Sequence, residues 1–185
     1  MKKKTLIALG ASLFLAVGLQ AQTTEISEGI IYWKGSKVVP DSHEGTLSIS
    51  KGALTFEGDT LTGGTFTVDM NSIVCTDLSG GSAERLVGHL KSDDFFGVEE
   101  HPEATLVITN AEKKDDGYNV TGDFTIRGIT HAEKFVLKLD GNKATADLEI
   151  DRSKYNVKFR SGTFFENLGD KLIKDELELR VSFNY

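Results

Sequence analysis

From Gly29 onward apolar and polar residues alternate, the period of a strand with one face buried and the other in water. Leu47 and Ile49 alternate with Thr46, Ser48 and Ser50, and Phe66, Val68 and Met70 with Thr65, Thr67 and Asp69. The pattern recurs at Leu106 and Ile108, at Val120, Phe124 and Ile126, at Phe135, Leu137 and Leu139, and from Ala144 to Ile150. It closes the chain with Leu177, Leu179, Val181 and Phe183. Seven to nine strands are expected, nearly all one-sided. Glu57-Gly58-Asp59, Gly63-Gly64, Asp115-Asp116-Gly117 and Asp140-Gly141-Asn142 are turn clusters, rich in residues that tolerate positive φ. Short turns between neighbours imply antiparallel pairing, so the topology expected is a meander.

The period changes once. Between Ala83 and Lys91, Leu86, Val87 and Leu90 fall at helical spacing, Ser82 is a reasonable N-cap, and Asp93-Asp94-Phe95-Phe96 follows. One short helix with an aromatic exit is predicted. Only two prolines occur, Pro40 and Pro102, both outside the expected strands. A set of one-sided antiparallel strands must close on itself or pack as two sheets, because an open sheet leaves two edges and an apolar face uncovered. Pattern alone leaves barrel and sandwich both open. With about eight strands, a closed barrel has room for packed side chains or one small ligand.

The segment before this pattern is of another kind. Met1 is followed by three lysines and then by an apolar run of roughly 14 residues from Leu6 to Leu19, short of the ~20 that span a bilayer. Residues 1–21 are therefore expected to be a secretory signal peptide, cleaved after Ala21, with the domain over 22–185. Cleavage removes three lysines and no acid, shifting the net charge from −7 to about −10. Nucleic acid and anionic membrane surfaces are poor partners for so acidic a protein. No transmembrane segment is expected after cleavage. The single cysteine, Cys75, cannot form an intramolecular disulfide and is expected to be a small buried residue.

Catalytic chemistry is not evident. His43, His89, His101 and His131 lack metal-ligand spacing, and no nucleophile elbow, phosphate loop or dinucleotide fingerprint is present. Asp41-Ser42-His43-Glu44 is the one segment that could serve a proton relay, and it reads more simply as a solvated cap. No cofactor, no metal and no enzymatic activity are expected. The positive signal is aromatic: Phe66, Phe95, Phe96, Phe124, Phe135, Phe164 and Phe165 fall on many elements, and the pairs Phe95-Phe96 and Phe164-Phe165 lie outside regular strands, where a packed core needs them less.

The order of landmarks resembles the YceI-like family of polyisoprenoid-binding, lipocalin-like proteins. The resemblance rests on Trp33-Lys34-Gly35-Ser36-Lys37, His43-Glu44-Gly45-Thr46, Leu90-Lys91-Ser92-Asp93-Asp94-Phe95-Phe96, Arg127-Gly128-Ile129-Thr130 and Asp151-Arg152-Ser153-Lys154-Tyr155, and it covers nearly all of the chain after the leader. It implies an all-β fold, an extended eight-stranded antiparallel barrel with one short helix at the side or mouth. It further implies a periplasmic or secreted binding or carrier protein for an isoprenoid lipid or isoprenoid quinone, and it allows a homodimer. Where many members read Phe-Phe-Asp this chain has Phe95-Phe96-Gly97.

On this reading Phe66, Val68, Met70, Leu106, Phe124 and Phe135 line the apolar interior, joined by Phe95, Phe96, Phe164 and Phe165 from the loops. Lys37, His43 and Arg152 are the head-group candidates, being basic residues inside matching segments. Two other classes remain: a barrel enzyme or isomerase that uses His43 with a nearby acid, and a filled barrel with a structural or interaction role. The position of His43 relative to a cavity and an acid separates the first, and the interior volume separates the second.

Overall fold

The computed structural model describes residues 20–185, and most of the expected leader lies outside them. Among the described residues there are nine strands: β1 (Ala21–Glu25), β2 (Glu28–Lys37), β3 (Ser42–Glu57), β4 (Thr60–Cys75), β5 (Glu103–Lys114), β6 (Gly117–Ile126), β7 (Ile129–Asp140), β8 (Lys143–Asp151) and β9 (Ile173–Asn184). Helix α1 (Gly80–Lys91) lies between β4 and β5. Eight strands, β2 to β9, close a ring in the order β3-β2-β9-β8-β7-β6-β5-β4, with β4 pairing back onto β3. All pairs are antiparallel, so the fold is a closed meander rather than a sandwich. β1 continues the line of β2, pairing with the far half of β3 after a break at Ile26-Ser27.

Bulges change which parity faces inward along the long strands. In β3 Leu47 and Ile49 point in, a register shift intervenes between Ile49 and Lys51, and Gly52 and Leu54 then take the inward side. Gly63-Gly64, expected as a turn, instead lies within β4. A Cβ on Gly64 would come within 2.8 Å of the Ala53 carbonyl and 3.2 Å of Ile108, so the glycine serves close strand approach. The hairpins at Gly58, Asp115-Asp116-Gly117 and Gly141 form where the turn residues placed them.

The two ends of the barrel differ. The hairpin end is a filled floor: Leu54, Leu61, Val120 and Ala144 are fully or almost fully buried. The Tyr118 hydroxyl accepts from the Leu61 N–H and donates to the Asp59 carbonyl, both at 3.3 Å. The other end is capped by α1, the loop after it, and the segment between β8 and β9. α1 begins at Gly80 after Ser79, three residues before the stretch expected from periodicity, and Ser82 inside it accepts a bond from Arg85 instead of capping. Only Leu90 of α1 is buried, and with Phe95 and Val98 it forms the lid cluster together with Trp33, Met70 and Ile73. Gly97 sits at φ +58°, a backbone conformation that an L-residue resists.

Candidate ligand-binding cavity

Between floor and lid the barrel is hollow. A cavity of about 220 Å³ occupies the interior, walled almost wholly by carbon. The filled-barrel alternative is thereby set aside. Inward residues such as Leu106, Phe124, Phe135, Leu148, Leu177 and Leu179 are only half-buried although they point away from bulk water, because they border this space. Phe66, Val68 and Met70 of β4 line it as expected, and so do Phe95 and Phe96 from the loop after α1. Phe124 and Phe135 meet edge to face at 5.9 Å, forming one aromatic patch of the wall across β6 and β7.

Phe164 and Phe165 are elsewhere. They lie in the β8–β9 segment, 40% and 49% exposed, outside the cavity, and Lys158 sits 5.2 Å from the Phe164 ring. A lack of strand pattern at these positions marked a surface loop, not a mouth.

Arg152 is also misplaced by the sequence reading. It lies under the lid, its side chain fully buried and outside the cavity lining. The guanidinium donates to the carbonyls of Val157 at 2.9 Å, Ile173 at 3.1 Å and Lys174 at 3.1 Å, and stands 3.2 Å from Asp175 and 5.4 Å from the Phe95 ring. Asp175 in turn accepts from Ser161 and Thr163, each at 2.8 Å. These bonds use all three nitrogens, so Arg152 ties the β8–β9 segment to β9 and to the loop of Phe95 from a position outside the cavity lining.

The polar residues of the lining gather at the lid end, around the β2–β3 turn, and their exposure marks where the cavity meets solvent. Lys37 and Asp41 form an ion pair there, which holds the Asp41 carboxyl below its ordinary value. His43 lines the cavity and its Nδ1 pairs with Asp77 Oδ2 at 2.8 Å. The other oxygen of Asp77 accepts from the Glu44 N–H at 3.0 Å and from the Cys75 thiol at 3.2 Å. Burial disfavours the Asp77 carboxylate, but these donors outweigh it and hold its pKa at about 2. Cys75 is half-buried rather than buried, and burial followed by the Asp77 bond pushes its thiol up, away from the thiolate form.

A stability prediction follows from Asp77. Its folded pKa is depressed from 3.8 to about 2, so its contribution is complete above the higher value and fades as pH falls through the lower one. With its carboxyl a quarter exposed, solvent screening limits that contribution to about 1 kcal/mol. Urea midpoints of wild type and Asp77→Asn are expected to differ at neutral pH and to converge toward pH 2.

Two further residues were not singled out from sequence. Trp33 of β2 and His89 of α1 both line the cavity, and Trp33 Nε1 and His89 Nε2 are buried with no hydrogen-bond partner. The alternation Ile31, Trp33, Gly35, Lys37 already places Trp33 inward, whereas His89 depends on how α1 rotates over the lid. Among the described residues no cluster of His, Cys, Asp and Glu suits a metal, and no helix is long and apolar enough to cross a membrane.

Comparison with known proteins bears on this cavity. The YceI-like domain family matches residues 19–185. A UPF0312 protein of Pectobacterium carotovorum is 31% identical over 147 residues, 76% of this chain and 74% of that protein. Protein YceI of Escherichia coli is 32% identical over 97 residues, 52% of this chain and 49% of that one. Among solved structures, BcnA of Burkholderia cenocepacia superposes with a TM-score of 0.64 at 21% identity, covering 84% of this chain and 94% of its own. A polyisoprenoid binding domain from Saccharophagus degradans gives 0.57 at 12% identity, covering 90% and 99%. These two likenesses are of fold.

Proposed function

The chain belongs to the YceI-like domain family, and from that premise we propose that it is an exported binding protein that holds an isoprenoid lipid or isoprenoid quinone in the barrel cavity. The observation that carries the proposal is the carbon-walled space itself, with a packed floor at one end and its polar lining residues at the other. Burying each methylene-sized group gains about 0.8 kcal/mol, so a tail of several isoprene units gains on the order of 10 kcal/mol before association and ordering costs are subtracted. The tail enters first and the oxygenated end stays toward the lid, since a bare polar group on the floor would cost several kcal/mol. Binding, shielding and release need no covalent step. The lysine-headed apolar segment at the N-terminus supports export, and a diffusible carrier in the periplasm or outside the cell is the role that fits. The polyisoprenoid-binding name borne by the Saccharophagus degradans domain points to the same ligand class.

One observation favours a second reading, a barrel enzyme acting through His43: its ring lines the cavity and pairs with an acid, Asp77, at 2.8 Å. Asp77 is also engaged by the Glu44 N–H and the Cys75 thiol, which suits a structural rim as well as a relay.

Trp33 is the only tryptophan and lies on the cavity wall, so its fluorescence reports occupancy directly. Titration with prenyl alcohols of increasing length is expected to change its emission saturably at one ligand per chain. Affinity should rise with each isoprene unit until the cavity is full. No saturable change at any length would contradict the proposal.

A further inference from the structure

Among the described residues, cations near the cavity are already committed: Arg152 to three carbonyls and Asp175, and Lys37 to Asp41. The rim adds the carboxylates of Asp41 and Asp77, and the chain as a whole carries a net charge of −7. A phosphate or diphosphate head would find no free positive partner at this mouth and would meet acidic groups instead.

The lid end offers a different chemistry. Trp33 is 91% buried, its ring held flat against Gly45, where a Cβ would come within 2.6 Å of the indole. His89 is clamped edge-on between Phe159 at 4.3 Å and Phe95 at 5.8 Å. Both rings are fixed by packing, both line the same apolar space, and each has a buried nitrogen without a partner. Native structures seldom leave such atoms unpaired, because the protein forfeits the bond that water would have made in the unfolded chain. Indole Nε1–H can only donate, so its missing partner must be an acceptor oxygen; His89 Nε2 can donate or accept.

We propose that Trp33 Nε1 and His89 Nε2 form the head-group site of this cavity, and that it selects prenyl compounds with an uncharged oxygen, a carbonyl or hydroxyl, over prenyl phosphates. The inference rests on the binding role proposed above and specifies the end of the ligand that the apolar wall cannot distinguish. A carbonyl satisfies the indole donor; a hydroxyl can satisfy the indole and also serve His89 in either tautomer. Adding one such bond inside a dry cavity is expected to improve affinity about tenfold over the bare hydrocarbon tail.

Equilibrium dialysis with ligands of one tail length and four ends, hydrocarbon, alcohol, quinone and monophosphate, tests this. The expected order places the alcohol and quinone about tenfold tighter than the hydrocarbon, with the phosphate weakest. Trp33→Phe should abolish the advantage of the alcohol and quinone, read as the ratio of their affinities to that of the hydrocarbon in the same variant. His89→Phe, which preserves the edge-on contacts with Phe95 and Phe159, should reduce that advantage in part. Equal binding of all four ends, or tightest binding of the phosphate, would overturn the head-group assignment and leave the binding role intact. Failure of every ligand, the hydrocarbon included, would instead overturn the binding role, and this inference with it.

Discussion

Replacing Arg152 by methionine is expected to lower stability by about 3–5 kcal/mol without removing any group that touches the cavity. The methionine fills similar volume, but it leaves Asp175, whose side chain is only 14% exposed, without its cation and three carbonyls, those of Val157, Ile173 and Lys174, without a donor. The segment between β8 and β9 is then free to separate from β9 and from Phe95, which rests against the guanidinium. The urea midpoint should fall with little change in slope, and Arg152→Lys should recover only part of the loss, because an ammonium cannot address three carbonyls in one plane. If Arg152 instead gripped a ligand head group, Arg152→Met would weaken binding while stability stayed near wild type, and that outcome would refute the placement described here. Should Arg152→Met prove too unstable to purify, Asp175→Asn keeps the shape of the partner, removes its charge and turns one acceptor oxygen into a donor, and is expected to shift the midpoint in the same direction by a smaller amount.

The second large effect is expected from filling the cavity. Leu148 lies on β8 opposite Leu179, half-buried and facing the interior. Leu148→Trp adds roughly the bulk of one isoprene unit and displaces that length of tail, a loss on the order of 3 kcal/mol, or roughly 100-fold in affinity. Because the added ring enters open space and gains apolar contacts there, the melting temperature should stay within a few degrees of wild type. Val136→Trp, on the outward face of β7, is the matched control and should bind as wild type does. Unchanged affinity in Leu148→Trp would mean that ligand does not occupy this space.

Most of the wall could be read from period alone. Phe66, Val68, Met70, Leu106, Phe124 and Phe135 alternate with polar neighbours, and once the sheet closes an alternating position has only two places to point. Whether the sheet closes at all was not in the alternation; it depends on β4 returning to β3, a pairing that local pattern does not encode. Bulges were equally invisible, since they insert one residue without changing composition, and Gly63-Gly64 carried the chemistry of a turn while serving close strand contact.

The site's polar parts were harder to read, for a physical reason. Side chains outside strands have no period to fix their direction, so a basic residue or a phenylalanine in a loop says nothing of what it faces. Arg152 was chosen for its charge and is consumed by backbone carbonyls; Phe164 and Phe165 were chosen for their rings and lie in solvent. Phe95 and Phe96, also in a loop, do face inward because the turn at Gly97 and the bonds from Arg127 to the carbonyls of Asp93 and Phe95 fold that segment over the barrel. His43 meets Asp77 across 34 residues of sequence, a distance over which no motif operates.

The most direct test is native mass spectrometry of the protein purified from the envelope or culture medium of its own cells, followed by organic extraction of the same sample. An isoprenoid lipid or quinone recovered at one per chain, and absent from Leu148→Trp prepared in parallel, is the predicted result. A ligand-free mass, together with no uptake of added prenyl alcohols or quinones, would contradict the proposed role of the cavity.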